Sequence, residues 1–294
     1  MTSPETPRIL VAIDPTKRPE DPLALGTRLA RVTGAPLALV SVFPMAPLQP
    51  DDDVLRKIRA DAEADLSEFA RGMEGVTVAD PLVVGAVSPA RALQKLSEDE
   101  QVGVVVIGST TRGPLRRTLP GSIADRLLSG AAASVAVAPH GFADDAPPEL
   151  STLGVAYDGS AESRAALDAG RALATKAGAR VRVITVHQRL ASGGVSASAL
   201  PLETVDETLE REERRLLDEA LTDPGELSIE GVFETGQAVD VLVQQSRDLD
   251  LLLAGSRGYG PLGAVLLGST THDLARLSHA PLLITPRGRP LTVV

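Results

Sequence analysis

The chain carries one glycine-serine constellation twice: Gly108-Ser109 with Gly121-Ser122, and Gly255-Ser256 with Gly268-Ser269, all displaced by 147 residues, half of the 294-residue length. Repetition at that distance points to tandem duplication of one domain, and the length suits two domains that each bury a core. A glycine directly after an apolar run lets the backbone turn off a strand end and brings bare N–H groups close to a ligand. A Gly-Ser pair about a dozen residues later, opening a helix, adds N-terminal amides and a hydroxyl that together suit an anion. The doubled loop reads as a nucleotide-phosphate cradle.

The surrounding pattern repeats as well. Arg8 to Asp14 reads as a short buried strand, and Leu153 to Asp158 repeats it 144 residues later, both ending in aspartate. Helical patterns follow, with Leu23, Gly26, Leu29, Ala30 and Gly34 matched by Leu167, Gly170, Leu173, Ala174 and Gly178, the last glycine of each set serving as the helix stop. Second strands are expected at 37–42 and 181–186, charged outer helices at 51–69 and 204–221, and third strands at 77–84 and 228–233. Helices starting near Ser88-Pro89 and Gln237 lead to fourth apolar runs at 102–107 and 249–254 and, after each Gly-Ser, to a helix and a last strand at 134–138 or 281–285. Strands alternating with helices imply a parallel, right-handed α/β sheet in each half, with ligands beyond the carboxyl ends of the strands. The domains are placed at 1–140 and 151–294, with 141–150 as linker: Phe142 to Pro147 is polar and proline-containing. The Ser-, Ala- and Gly-rich stretch Leu190 to Leu200 is expected to be a mobile loop beside the second site.

Composition narrows the function. With 43% hydrophobic and 23% charged residues the chain is of soluble globular type. Aromatics are 2%, tryptophan is absent and the net charge is -10, so neither base stacking nor a basic face favours nucleic acid as a partner. The absence of cysteine excludes disulfides, thiolate nucleophiles and cysteine zinc sites. Neither a signal peptide nor a run long enough to span a bilayer is found, which leaves a cytoplasmic location and no membrane partner as the expectation. His140, His187, His272 and His279 lack metal-ligand spacing and are expected at surface or helix-end positions, so no metal site is assigned. Gly258 to Gly263 matches G-x-G-x-x-G, but it follows a fourth strand rather than a first, contains Pro261 and lacks the acidic residue about twenty positions on, which argues against a dehydrogenase. A Walker loop is absent too.

The spacing of Gly255, Gly258 and Gly268-Ser269 resembles the ATP-binding signature of the universal stress protein family, and Val155 to Ser160 resembles its first strand and turn. The resemblance covers both halves. It implies two tandem doubly wound, five-stranded parallel-sheet domains of Rossmann-like, adenine nucleotide alpha hydrolase-like α/β fold, with ATP, with or without Mg²⁺, at the strand ends. By that resemblance Asp158 lies against the adenosine moiety, Val186 lines the adenine pocket, and Gly255, Gly258, Gly268 and Ser269 hold ribose and phosphates; Ser256 and the Thr270 hydroxyl, in the same loops, are assigned to the site beside them. A carboxylate at a strand end accepting from a hydroxyl, an apolar valine contact and close backbone approach at glycine fit the same roles.

Asp14, Val42, Gly108, Gly121 and Ser122 stand at the matching places of the first half, which departs elsewhere. Thr111 replaces the second glycine, Pro120 precedes Gly121-Ser122, and Pro15-Thr16 follows Asp14. A threonine brings a Cβ and a methyl where backbone approach is needed. The expectation is a stress-adaptation module that binds ATP as a regulatory ligand, chiefly in the second half, with no catalytic residue assigned. The alternatives are a scaffold with both sites empty, its sheets paired through their last strands, and a slow ATP-hydrolysing enzyme. Two similar domains in one chain can form an internal pseudo-dimer, which leaves homodimerisation open.

Overall fold

The computed structural model describes residues 7–15, 17–45, 51–99, 101–109, 123–147, 149–189, 202–222, 225–256, 269–286 and 291–292. In the first half β1 (Arg8–Ile13), α1 (Glu20–Thr33), β2 (Leu37–Pro44), α2 (Asp52–Arg71), β3 (Leu82–Ala86), α3 (Pro89–Ser97), β4 (Val102–Gly108), α4 (Ile123–Leu128) and β5 (Ser134–Ala138) succeed one another. A one-turn helix α5 (Phe142–Asp145) follows. The second half repeats the plan with β6 (Thr152–Ala156), α6 (Ala161–Ala177), β7 (Arg180–His187), α7 (Leu202–Ala220), β8 (Ile229–Thr235), α8 (Ala238–Gln245), β9 (Leu251–Gly255), α9 (Ser269–Leu277) and β10 (Leu282–Thr285).

Each half is a parallel five-stranded sheet, ordered β3-β2-β1-β4-β5 and β8-β7-β6-β9-β10, and the two join edge to edge through β5 and β10 into one ten-stranded sheet. That junction is antiparallel, with Val135 opposite Ile284, Ala136 opposite Leu283 and Val137 opposite Leu282. The central strands are continuous aliphatic runs because helices cover both their faces: Ile9, Leu10 and Val11, and likewise Leu251, Leu252 and Leu253, are wholly buried. The outer strand β8 is largely exposed and polar, which discourages pairing with another chain. One core lies on each face of the sheet, and each runs through residues of both halves. No helix among the described residues is long and apolar enough to cross a membrane.

The matched glycines of the first helices allow close helix-to-strand packing. A Cβ at Gly26 would lie 2.4 Å from Val11 Cγ2, and one at Gly170 2.9 Å from Val155 Cγ2. The third strand of the first half starts later than the sequence suggests: Val78 makes only an isolated bridge to Leu37, and the ladder resumes at Leu82, after Pro81, which has no N–H to donate.

The segment after β5 is tied down. Asp21 on α1, 2% exposed, accepts the backbone N–H groups of Gly141 and Ala143, both at 2.9 Å, and so caps α5. Arg18 bridges Asp21 (3.2 Å) and Asp144 (2.7 Å), and the Arg28 guanidinium lies 4.9 Å over the ring of the buried Phe142.

Candidate functional site

A cleft of about 360 Å³ opens at the carboxyl ends of β6, β7 and β9, between α8 and α9, and is lined by Asp158, Val186, Gly255, Ser269 and Thr270. Here the chain leaves β6 towards β7 on one side, while β9 flanks it on the other, the crevice in which open α/β sheets hold ligands. Ala156, Ile184, Val186, Leu242, Ala254 and Leu274 give an apolar floor, and hydroxyl and carboxylate groups form the rim.

The β6–α6 turn builds one side of that rim. Gly159 sits at φ +74°, and Asp158 Oδ1 accepts from the Ser160 backbone N–H (3.0 Å) and Oγ–H (2.5 Å). Ser160 Oγ in turn accepts from Ser163 N–H at 3.2 Å and caps α6. The opposite side is the start of α9, where Ser269, Thr270 and Thr271 line the cleft and Thr271 Oγ1 donates to the Gly255 carbonyl at 3.4 Å. Gly255 lets β9 close against α6: an added Cβ would stand 2.5 Å from the carbonyl carbon and oxygen of Glu162.

Of the second-half residues singled out above, Asp158, Val186, Gly255, Ser269 and Thr270 line this one cleft. Ser256 is buried beside it, its N–H donating to the Thr285 carbonyl at 3.0 Å and its Oγ lacking a hydrogen-bond partner among the described residues. Gly258 and Gly268, and the Leu190 to Leu200 stretch, lie outside the described residues. Sequence reasoning missed Ser163, Glu162, Gln188, Leu242 and Thr271. Thr271 was reachable by extending the Ser269-Thr270 run one residue, and Leu242 by the spacing of four from Ala238 on α8.

The first half has its own cleft at the ends of β1, β2 and β4, with Asp14, Val42 and Gly108 in its lining. Gly121, Ser122, Thr111 and Pro120 lie outside the described residues. The chemistry of the mouth differs. Asp14 pairs with Lys17 at 2.8 Å, and Arg18 occupies the place that Glu162 holds in the second half. A carboxylate engaged by a neighbouring ammonium is a poorer acceptor for a ligand hydroxyl.

One histidine departs from the expected surface position. His187, at the end of β7, is 1% exposed. Its Nδ1 lies 2.7 Å from Glu213 and its Nε2 3.4 Å from Asp206, both on α7, while its ring stacks on Phe233 of β8 with centroids 6.5 Å apart. The Arg214 guanidinium covers that phenyl ring at 3.8 Å and pairs with Glu210. Burial works against a charged imidazole, but the two carboxylates outweigh it and raise the pKa above the ordinary histidine value. His140 and His279 are exposed, and His272 bridges the two halves through a 2.9 Å contact from Nε2 to Asp125.

The sign of the His187 effect follows from that raised pKa. Its contribution is fully present below the unfolded value near about 6.5 and fades as pH climbs through the higher folded value. The first half carries Phe43 at the matching place, so His187→Phe is a natural reference. The wild-type advantage in thermal midpoint over His187→Phe should be largest near pH 6 and shrink towards pH 9. A difference independent of pH would dismiss the carboxylate clamp.

Comparison with known proteins agrees with the duplication. The profile of the Universal stress protein family matches residues 5–139 and again 150–286. Among curated relatives, one universal stress protein of Mycobacterium tuberculosis is 27% identical over 233 residues, 79% of this chain and 77% of its own length. A second from the same organism is 31% identical over 206 residues, 68% of this chain and 69% of its own length. Among solved structures, a universal stress protein of Archaeoglobus fulgidus, 21% identical, covers 96% of this chain and 98% of its own with a TM-score of 0.73, which supports the fold.

Proposed function

The chain belongs to the universal stress protein family, with two copies of the family domain in tandem, and on that premise we propose that it is a regulatory module binding an adenine nucleotide, ATP in the first instance, chiefly in the second-half cleft. The observation that carries this reading is the convergence of Asp158, Val186, Gly255, Ser269 and Thr270, drawn from three strand ends and one helix start, on a single apolar-floored crevice. The floor of Ala156, Val186 and Leu242 suits a purine ring, and Asp158 suits a ribose hydroxyl. The first turn of α9, nine residues long, offers backbone amides and the hydroxyls of Ser269 and Thr270 to phosphate oxygens. Among the described residues no cluster of acidic or histidine side chains is built to hold a metal, so in this reading any Mg²⁺ travels with the phosphates.

The two clefts are predicted to be unequal, because Lys17 engages Asp14, Arg18 stands where the second half has Glu162, and Thr111 replaces the glycine that corresponds to Gly258. Calorimetric titration of ATP into the full chain should resolve one strong site, with the other weaker by at least about tenfold, roughly 1.4 kcal/mol. Two sites of equal affinity would reject the asymmetry; no binding, with no nucleotide co-purifying by mass spectrometry, would leave the scaffold.

A second reading has one observation in its favour: Glu162 lines the cleft beside Gly255, where a carboxylate can reach a water near bound phosphates. The groups at the start of α9 bind ground and transition states alike, which does not raise turnover. Phosphate release at saturating ATP and Mg²⁺ should therefore stay below about 1 s⁻¹, the low end of typical enzymes. Faster release that Glu162→Gln suppresses would establish the enzyme instead.

A further inference from the structure

The displacement of 147 residues that relates the two glycine loops also relates β5 to β10, and it places a local two-fold axis through their junction. Ala136 corresponds to Leu283, and these two face each other; Val135 opposite Ile284 and Val137 opposite Leu282 are images of one another. On one face of the sheet α4 meets α9, and there Asp125 corresponds to His272 by the same displacement. These two also touch, Asp125 Oδ1 lying 2.9 Å from His272 Nε2, while His272 Nδ1 stands 3.5 Å from Asp273. On the other face the Lys176 ammonium of α6 donates to the Thr33 carbonyl at the end of α1 at 3.3 Å.

A residue on a two-fold axis meets its own copy when identical surfaces associate. Two first halves paired through β5 would set Asp125 against Asp125 and Ala136 against Ala136. Two second halves would set His272 against His272 and Leu283 against Leu283. Facing carboxylates repel, facing imidazoles lack the carboxylate partner that Asp125 supplies to His272, facing alanines leave a gap at a fully buried position, and facing leucines overfill it. In the chain as it stands both axis positions have diverged in complementary senses: small opposite large, and carboxylate opposite imidazole.

We propose that the β5–β10 seam is a heterotypic recognition surface that accepts the unlike half and rejects the like half, so that the chain joins its own two sheets instead of pairing like with like between chains. Every chain carries one half of each kind, so like-with-like pairing always needs a second chain, whereas unlike pairing is satisfied within one. The unlike partner is covalently close at hand, because β5 ends at Ala138 and β6 begins at Thr152, with α5 fastened to α1 between them. A short connection raises the effective concentration of that partner.

Single substitutions recreate, inside one full-length chain, the pairs that a like-with-like seam would contain. His272→Asp gives the acidic pair, Asp125→His the imidazole pair, Leu283→Ala the small pair and Ala136→Leu the large pair. Each should lower the thermal unfolding midpoint, by about 2–4 °C for the charge pair in a protein of this size. The interchanged doubles, Asp125→His with His272→Asp and Ala136→Leu with Leu283→Ala, should regain most of what the singles lose. Doubles that lose the sum of their singles, or charge singles that lose nothing, would overturn the proposal. If Ala136→Leu fails to fold, the half-buried Asp125–His272 cycle, with Asp125→Asn as its mildest member, decides alone.

Discussion

Gly255→Ala should destabilise the protein by about 3 kcal/mol, whereas Gly108→Ala, at the matching place in the first half, should cost less than about 1 kcal/mol. The difference lies in what each Cβ would meet. At Gly255 it would stand 2.5 Å from the backbone carbonyl carbon and oxygen of Glu162, atoms that cannot swing aside without moving the first turn of α6. At Gly108 its nearest neighbour would be Pro22 Cδ at 3.2 Å, a ring edge that can shift by a few tenths of an ångström. Displacing α6 also disturbs its cap, because Ser160 and Ser163 are bonded within the turn that Asp158 organises. In the proposed reading, nucleotide affinity therefore falls with stability in Gly255→Ala and is untouched at the second cleft in Gly108→Ala. Thermal scans should separate the two variants by roughly 4–8 °C. Equal midpoints would show that β9 and α6 can part at little cost, and that Gly255 serves the loop and not the packing.

That contrast shows how far the sequence could be read. The displacement of Gly108 to Gly255 was visible along the chain, and so were the strands that carry them, since buried parallel strands leave continuous aliphatic runs; β5 falls on Ser134–Ala138 as expected. The neighbours of each glycine were not visible, because Pro22 and Glu162 approach only through packing of the first helix of each half. The same limit explains His187. Nothing beside it in the chain signals that α7 sets Glu213 and Asp206 against it. The fourth strand of the second half begins at Leu251, two residues later than its apolar run, because Asp250 is taken up by the backbone N–H groups of Ser151 and Thr152 at 2.7 and 2.8 Å. At the seam the relation between halves was legible, but which residues fall on the axis depends on the β5–β10 register, which no local pattern encodes.

The segment between the halves is the clearest case of a distant residue deciding local structure, and it yields a second large effect. Phe142 to Asp145 is too short to be helical by itself, and its composition reads as linker. Its cap comes from Asp21, 120 residues before Gly141. That carboxylate is 2% exposed, accepts two backbone N–H groups at 2.9 Å and is approached by Arg18 at 3.2 Å. Asp21→Ala would leave both part-buried donors without their acceptor and remove one of the two carboxylates that Arg18 bridges, an expected loss of about 3 kcal/mol. Asp21→Asn should recover little, since its amide nitrogen would present a donor to one of the two N–H groups where the carboxylate presents an acceptor. Urea denaturation should place both variants well below the wild type, and limited proteolysis should cut between β5 and β6 more readily in each. A loss below about 1 kcal/mol, or full recovery by asparagine, would mean that α5 is held by Phe142 beneath Arg28 and not by its cap.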